Sequence, residues 1–197
     1  MATTYRGTRD TAQQGPVASG DSFEAPRQGP KAIAVALLRV ATGFIFLWAF
    51  LDKTFGLHYS TPGAKSWLNG GSPTKGFLGH VEVGPLQGVY HSIAGNPIID
   101  VLFMLGMLGI GVAVILGIGL RLSAVAGSVL MLGMWLAEFP LAQHATGGAP
   151  SGSVNPLVDY HVMYALALII LALINAGRSY GLGPAWARIT HGNKFLQ

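Results

Sequence analysis

Beyond residue 30 the chain holds five acids: Asp52, Glu82, Asp100, Glu138 and Asp159. Three of them stand near aromatic or imidazole groups at helical spacing. Trp48 and Asp52 are four residues apart, Trp135 and Glu138 three, and His161 and Tyr164 three, with Asp159 two before His161. On a helix, residues three or four apart share a face. Aromatic walls beside proton-exchanging groups suit the head group of a quinone, a flat ring with two carbonyls. On that reading Lys53, Glu138, Asp159 and His161 do the chemistry. Lys53 donates to one carbonyl, and a carboxylate or His161 exchanges the proton at the other. Trp48, Asp52, Trp135 and Tyr164 hold the ring. The same spacing also fits an aromatic belt at a membrane surface, with charges that snorkel to water. Spacing alone leaves both readings open.

These groups sit at the ends of long apolar runs. Half of the 197 residues are hydrophobic, 10% are charged, and mean hydropathy is +0.48. That composition predicts an all-α integral membrane protein, a four-helix bundle with a long outer loop. The spans are expected at about 33–52, 98–119, 122–139 and 156–176, within a transmembrane domain of 32–183. Residues 1–31 read as a disordered tail rich in Gly, Pro, Ser and Thr, and 184–197 as a C-terminal tail. The second residue is Ala2 and the chain has no cysteine, so the tail carries no acylation signal and the first span serves as signal-anchor. In the second span Gly109, Ala113 and Gly117 form a small-residue seam for close helix approach. The long connection, 53–96, is expected to hold a turn at Ala64–Asn69 and a short amphipathic helix at Gly84–Ala94.

Lys and Arg set the orientation. Eight lie on one side (Arg6, Arg9, Arg27, Lys31, Arg121, Arg178, Arg188, Lys194) and three on the other (Lys53, Lys65, Lys75). The positive-inside rule then puts both termini in the cytoplasm. All five acids, and His58, His80, His91, His144 and His161, fall at the outer face.

Arg39 lies inside the first span, where a guanidinium costs a few kcal/mol unless it snorkels or finds a partner. Its expected role is a structural clamp onto helix-end carbonyls, lipid phosphate or a neighbouring subunit. The absence of cysteine removes thiol catalysis, Cys-ligated zinc and iron–sulfur clusters from the chain. No histidine shows HxH or HxxxH spacing, so no metal site is expected. The scattered charge of +4 gives no basis for nucleic-acid binding.

Arg39, Gly43 and Lys53, the turn Leu116–Ala124 (LGIGLRLSA) and Ala176–Gly183 (AGRSYGLG) resemble the DoxX/DoxD family of small four-helix bacterial membrane proteins. The resemblance covers Ala32–Gly183. Phe50 stands where the family usually has glycine, and the outer loop is longer than in plain DoxX. That length leans toward the DoxD type, the membrane subunit of thiosulfate:quinone oxidoreductase. The resemblance makes Arg39, Gly43 and Lys53 family positions and implies a bacterial cell membrane, bound quinone and partner subunits. Two further readings stand beside it: a non-catalytic accessory or scaffold subunit of a respiratory or redox-defence complex, and a transporter. The last ranks lowest because no acid lies at mid-membrane.

Overall fold

The computed structural model describes residues 24–193, 195 and 196. Most of the expected disordered tail, residues 1–23, lies outside them. The described chain is helical, without strands beyond one isolated bridge between His144 and Pro150. Helix α1, Pro30–Phe55, opens on a proline whose missing N–H costs nothing in a first turn. It closes at Gly56 (φ 66°), whose N–H bonds Asp52 O. Two short helices follow in the outer loop, α2 (Lys75–Leu78) and α3 (Gln87–Ile93). Helix α4, Pro97–Leu116, is capped by Asn96, whose side chain accepts from Ile98 and Ile99 N–H groups. Helices α5 (Leu120–Glu138) and α6 (Tyr160–Leu173) follow, and then α7, Gly183–Ile189, in the segment expected to be a plain tail.

Helices α1, α4 and α5 are long and apolar enough to cross a membrane; α6 is apolar but has fourteen residues. At ~1.5 Å per residue α6 covers about 21 Å of a ~30 Å hydrocarbon core. The expected fourth span, 156–176, is trimmed at both ends. Asn155 Oδ1 accepts from Leu157 and Val158 N–H groups and holds Pro156 in a turn. The helix starts only where Asp159 caps it, and it ends where Asn175 turns left-handed (φ 51°).

Helix α1 packs along α4, and α5 along α6. One core joins all four, built from Phe46, Ile110, Val114, Leu120, Ala124, Met131, Leu168 and Leu171. Without water to expel, contact between such helices depends on close fit. A Cβ on Gly111 would lie 2.6 Å from Leu47 N, and one on Gly43 2.8 Å from Ile115 N. The seam therefore runs through Gly43 and Gly111. Of the expected seam, Gly109 meets nothing within 4 Å, while Gly117 faces the Arg39 side chain and the backbone of Gly177.

Arg39 is 2% exposed and closes the end of the bundle where α4 gives way to α5. Its Nη1 donates to Ala176 O (3.3 Å) and its Nη2 to Tyr180 O (3.2 Å). The carbonyls it meets lie just beyond α6, one in the turn Ala176–Arg178 and one in the turn that follows it. The last residues of the expected disordered segment are also tied down here. Ala25 N donates to Ile174 O (2.6 Å), Ser179 Oγ to Pro26 O (2.5 Å), and Glu24 pairs with Arg178. Backbone hydrogen bonding to helix ends, invisible in the tail's composition, gives order to 24–29.

Candidate functional site

Local sequence builds the N-terminal end of α6 around Asp159. Its Oδ1 accepts from His161 N (3.0 Å) and Val162 N (3.2 Å), the standard satisfaction of first-turn donors by an acid cap. The other oxygen, Oδ2, lies 2.8 Å from His161 Nδ1. Burial by itself raises the Asp159 carboxyl, but the bonds from the His161 ring and the two backbone N–H groups hold it below the ordinary carboxylate range.

That contact fixes the histidine. A carboxylate facing Nδ1 requires the proton on Nδ1, which leaves the Nε2 lone pair free in the neutral ring. His161 is 1% exposed, and its Nε2 is buried without a hydrogen-bond partner among the described residues. It lines a groove of about 310 Å³ between α5 and α6, walled by Met131, Leu132, Trp135, Leu157, Val162 and Leu166. Ser128 lines the same groove from deeper on α5, and its Oγ is likewise buried and unpartnered. Two orphaned polar atoms in an otherwise apolar groove are a departure from the rule that buried polar groups are paired. Together they offer a base and a hydroxyl to a molecule that is otherwise apolar.

On the other side of Asp159 lies a cavity of about 400 Å³, lined by Glu138, Asp159 and Tyr160 and roofed by the outer loops. Tyr160 OH donates to Glu138 Oε1 (2.5 Å), and Glu138 Oε2 stands 4.0 Å from His161 Nδ1. The Tyr160 ring leans on the imidazole at 4.0 Å between centroids. His161 thus lines the apolar groove, while its Nδ1 is bonded to Asp159, which lines the carboxylate-bearing cavity.

Glu138, Asp159 and His161 each place one ligand atom within 4.8 Å of the others. The Nδ1–Oδ2 separation of 2.8 Å is a hydrogen bond, shorter than the about 3.3 Å between neighbouring nitrogen or oxygen ligands on tetrahedral zinc. The spacing suits a shared proton.

Of the residues singled out by sequence, Trp135, Glu138, Asp159 and His161 come together. Trp135 also donates through Nε1 to Leu157 O (3.2 Å), which ties α5 to the start of α6. Tyr164 stands one turn below, with its ring 5.9 Å from that of Tyr160. The other three do not join them. Trp48 packs against Phe44 and Tyr59. Asp52 is 1% exposed and accepts from Tyr59 N (3.2 Å), Ser60 N (3.0 Å) and Ser60 Oγ (2.6 Å). It fastens the loop after α1 and has no face toward a ligand. Lys53 lines a different cavity, between α4 and α5, that shares no residue with the α5–α6 groove. The cause is packing order. Helix α1 lies along α4, so equal depth in the membrane does not give a shared site. Sequence reading missed Ser128 and Tyr160. A serine midway along an apolar span, with Ser123 the other serine of α5, was the available signal for the first, and adjacency to His161 for the second.

No protein family, curated protein or solved structure matches the chain.

Proposed function

We propose that the chain is the membrane subunit of a quinone-linked oxidoreductase, with the quinone head group held in the α5–α6 groove against His161. The supporting observation is the His161 ring itself, anchored through Nδ1 to Asp159, with Nε2 buried and unpartnered, in a residue that lines an apolar groove. A quinone, when bound, supplies two-electron, two-proton redox chemistry. The protein's part is to bind the ring, exclude water and move the proton. Trp135, Met131 and Leu132 give it flat and aliphatic walls. His161 Nε2 takes or returns a proton at a ring oxygen, while Asp159 stabilises the imidazolium that forms. Glu138 and Tyr160 carry the exchange to the outer cavity.

In this reading the four apolar helices form one membrane-embedded bundle of the DoxX/DoxD type in a bacterial cell membrane, both termini cytoplasmic. Electrons come from a partner subunit, since no cysteine in the chain can ligate a cluster or act as a thiol carrier. The thiosulfate:quinone type is the specific form the family resemblance favours. The accessory-subunit alternative shares the fold and the partner but assigns the groove no turnover.

The test uses the assembled complex in membrane vesicles with a short-tail benzoquinone. General acid–base groups contribute typically 10²–10⁴-fold. His161→Phe and Asp159→Asn should therefore lower quinone turnover by at least a hundredfold, whereas Lys65→Gln, at an exposed loop position that lines neither the groove nor the cavity, should leave it unchanged. Wild-type turnover in His161→Phe overturns the proposal. Unchanged turnover in both variants, in a complex that does not assemble when this chain is deleted, selects the accessory role.

A further inference from the structure

We propose that the cavity between α4 and α5 is a binding site for an anionic phospholipid, with Lys53 as its head-group contact. The cavity measures about 590 Å³, within the 300–1,000 Å³ range of sites that enclose small ligands. Its walls are apolar from Ile99 on α4 to Val129 on α5, and Pro73, Thr74, Phe77 and Tyr90 of the outer loop close its top.

Lys53 is the single charged residue lining it. It is half-buried, and its ammonium makes no hydrogen bond or ion pair among the described residues. Asp52, the preceding residue, attracts it through space but makes no ion pair with it, and the oxygens of Asp52 and Oδ1 of Asp100 are held by the loop. Asp52 is taken up by Tyr59 and Ser60, and Asp100 accepts from Ser72 Oγ (3.0 Å), Thr74 N (3.1 Å) and Thr74 Oγ1 (2.6 Å). Neither lines the cavity. A partly desolvated cation over an apolar trough calls for one negative charge on an alkyl chain.

Geometry selects a lipid of the surrounding bilayer as its source. Leu102 and Val129, on the two walls, are 61% and 67% exposed. On apolar helices that cross the membrane, such exposure faces acyl chains, so the trough opens sideways to lipid. Lys53 lies two residues from the outer end of α1, at the level of phosphates, while Ile110 marks the trough's floor toward mid-membrane. A head group at the interface and a chain running inward is the posture of a phospholipid. A lysine at either membrane surface attracts an anionic head group by the same electrostatics that let basic pockets between helices hold such lipids on the cytoplasmic side. The site differs in position, charge and walls from the His161 groove and stands whether or not that groove takes a quinone.

The experiment is native mass spectrometry of the full chain from nanodiscs of equal phosphatidylglycerol and phosphatidylcholine, with Lys53→Ala and Lys53→Arg. One lysine near the membrane surface is worth about 1 kcal/mol toward an anionic head, a factor of about five. The wild-type protein should retain phosphatidylglycerol at least fivefold over phosphatidylcholine. Lys53→Arg should keep that preference, and Lys53→Ala should lose it while showing unchanged thermal stability in zwitterionic lipid. A filling substitution, Gly106→Leu, should reduce retained lipid of both kinds. Equal retention of the two lipids by the wild type overturns the proposal, as does an unchanged preference in Lys53→Ala. If added oleate displaces all phosphatidylglycerol at stoichiometric amounts, the ligand is a free carboxylic acid and the phospholipid assignment fails.

Discussion

Gly181 and Arg39 give the sharpest prediction about what holds the helices together. The Arg39 guanidinium donates to Ala176 O and Tyr180 O at 3.3 and 3.2 Å. Hydrogen bonds to a charged group contribute about 1.5–3 kcal/mol each. These two are long and the charge is desolvated, so Arg39→Ala should destabilise by about 2–4 kcal/mol, against an upper sum of about 6. Arg39→Lys keeps the charge but has one ammonium for two separated carbonyls, and should lose about half as much. A Cβ on Gly181 would fall 1.9 Å from Arg39 Nη1 and 2.6 Å from Gly177 O. Gly181→Ala should therefore cost the about 1–3 kcal/mol of an overpacked site. In an Arg39→Ala background the first of those clashes is gone, so the alanine at 181 should cost less there. The assay is a double-mutant cycle by thermal or denaturant unfolding in detergent micelles, where the coupling should exceed the ~0.5 kcal/mol scatter of independent sites. Strict additivity, or wild-type stability of Arg39→Ala, would show that the guanidinium does not occupy the cradle of Ala176, Tyr180 and Gly181.

Three further outcomes follow from other parts of the fold. Gly111→Ala should push α1 off α4 and cost at least ~1–3 kcal/mol in the same unfolding assay. Gly109→Ala, with open space around its Cβ, should be neutral or stabilising by up to about 1 kcal/mol; equal effects at the two positions would refute the packing described here. Asp52→Ala should free the loop at Tyr59–Ser60 and make it a site of limited proteolysis, while quinone binding stays at the wild-type level. If binding falls and the loop stays resistant, Asp52 belongs to the site after all. The chain lacks cysteine, so single cysteines at the exposed positions Lys65 and Arg188 report topology cleanly. An impermeant thiol reagent on intact cells should label position 65 only, and labelling at 188 would reverse the orientation.

Much of the architecture is readable from residue type. The apolar runs over α1, α4 and α5 announce themselves, and Pro97 behind Asn96 marks a helix start that the Asn96 cap bears out. The start of α6 was less legible because two capping residues compete. Pro156 follows one, Asn155, but Asn155 is spent on a turn and Asp159 takes the helix. Small-residue spacing identifies a face able to pack closely but not its neighbour, which is why Gly111 rather than Gly109 meets α1. The site was half legible for the same reason. Trp135, Glu138, Asp159 and His161 are brought together by α5 packing on α6. Trp48, Asp52 and Lys53, at a similar depth, go with α4 and the outer loop. Helix order around a bundle is set by long-range packing, which no short spacing records.

The most direct test of the central claim is where a quinone touches the chain. A photoactivatable azidoquinone, illuminated with the complex in its membrane and followed by peptide mass spectrometry, should label the segment Leu157–Leu166, which leads into α6. The labelling should be abolished by excess unlabelled quinone and by His161→Phe. Competable labelling confined to α4, within Ile99–Ile110, or none at all on this chain, would contradict the assignment of the α5–α6 groove as the quinone site.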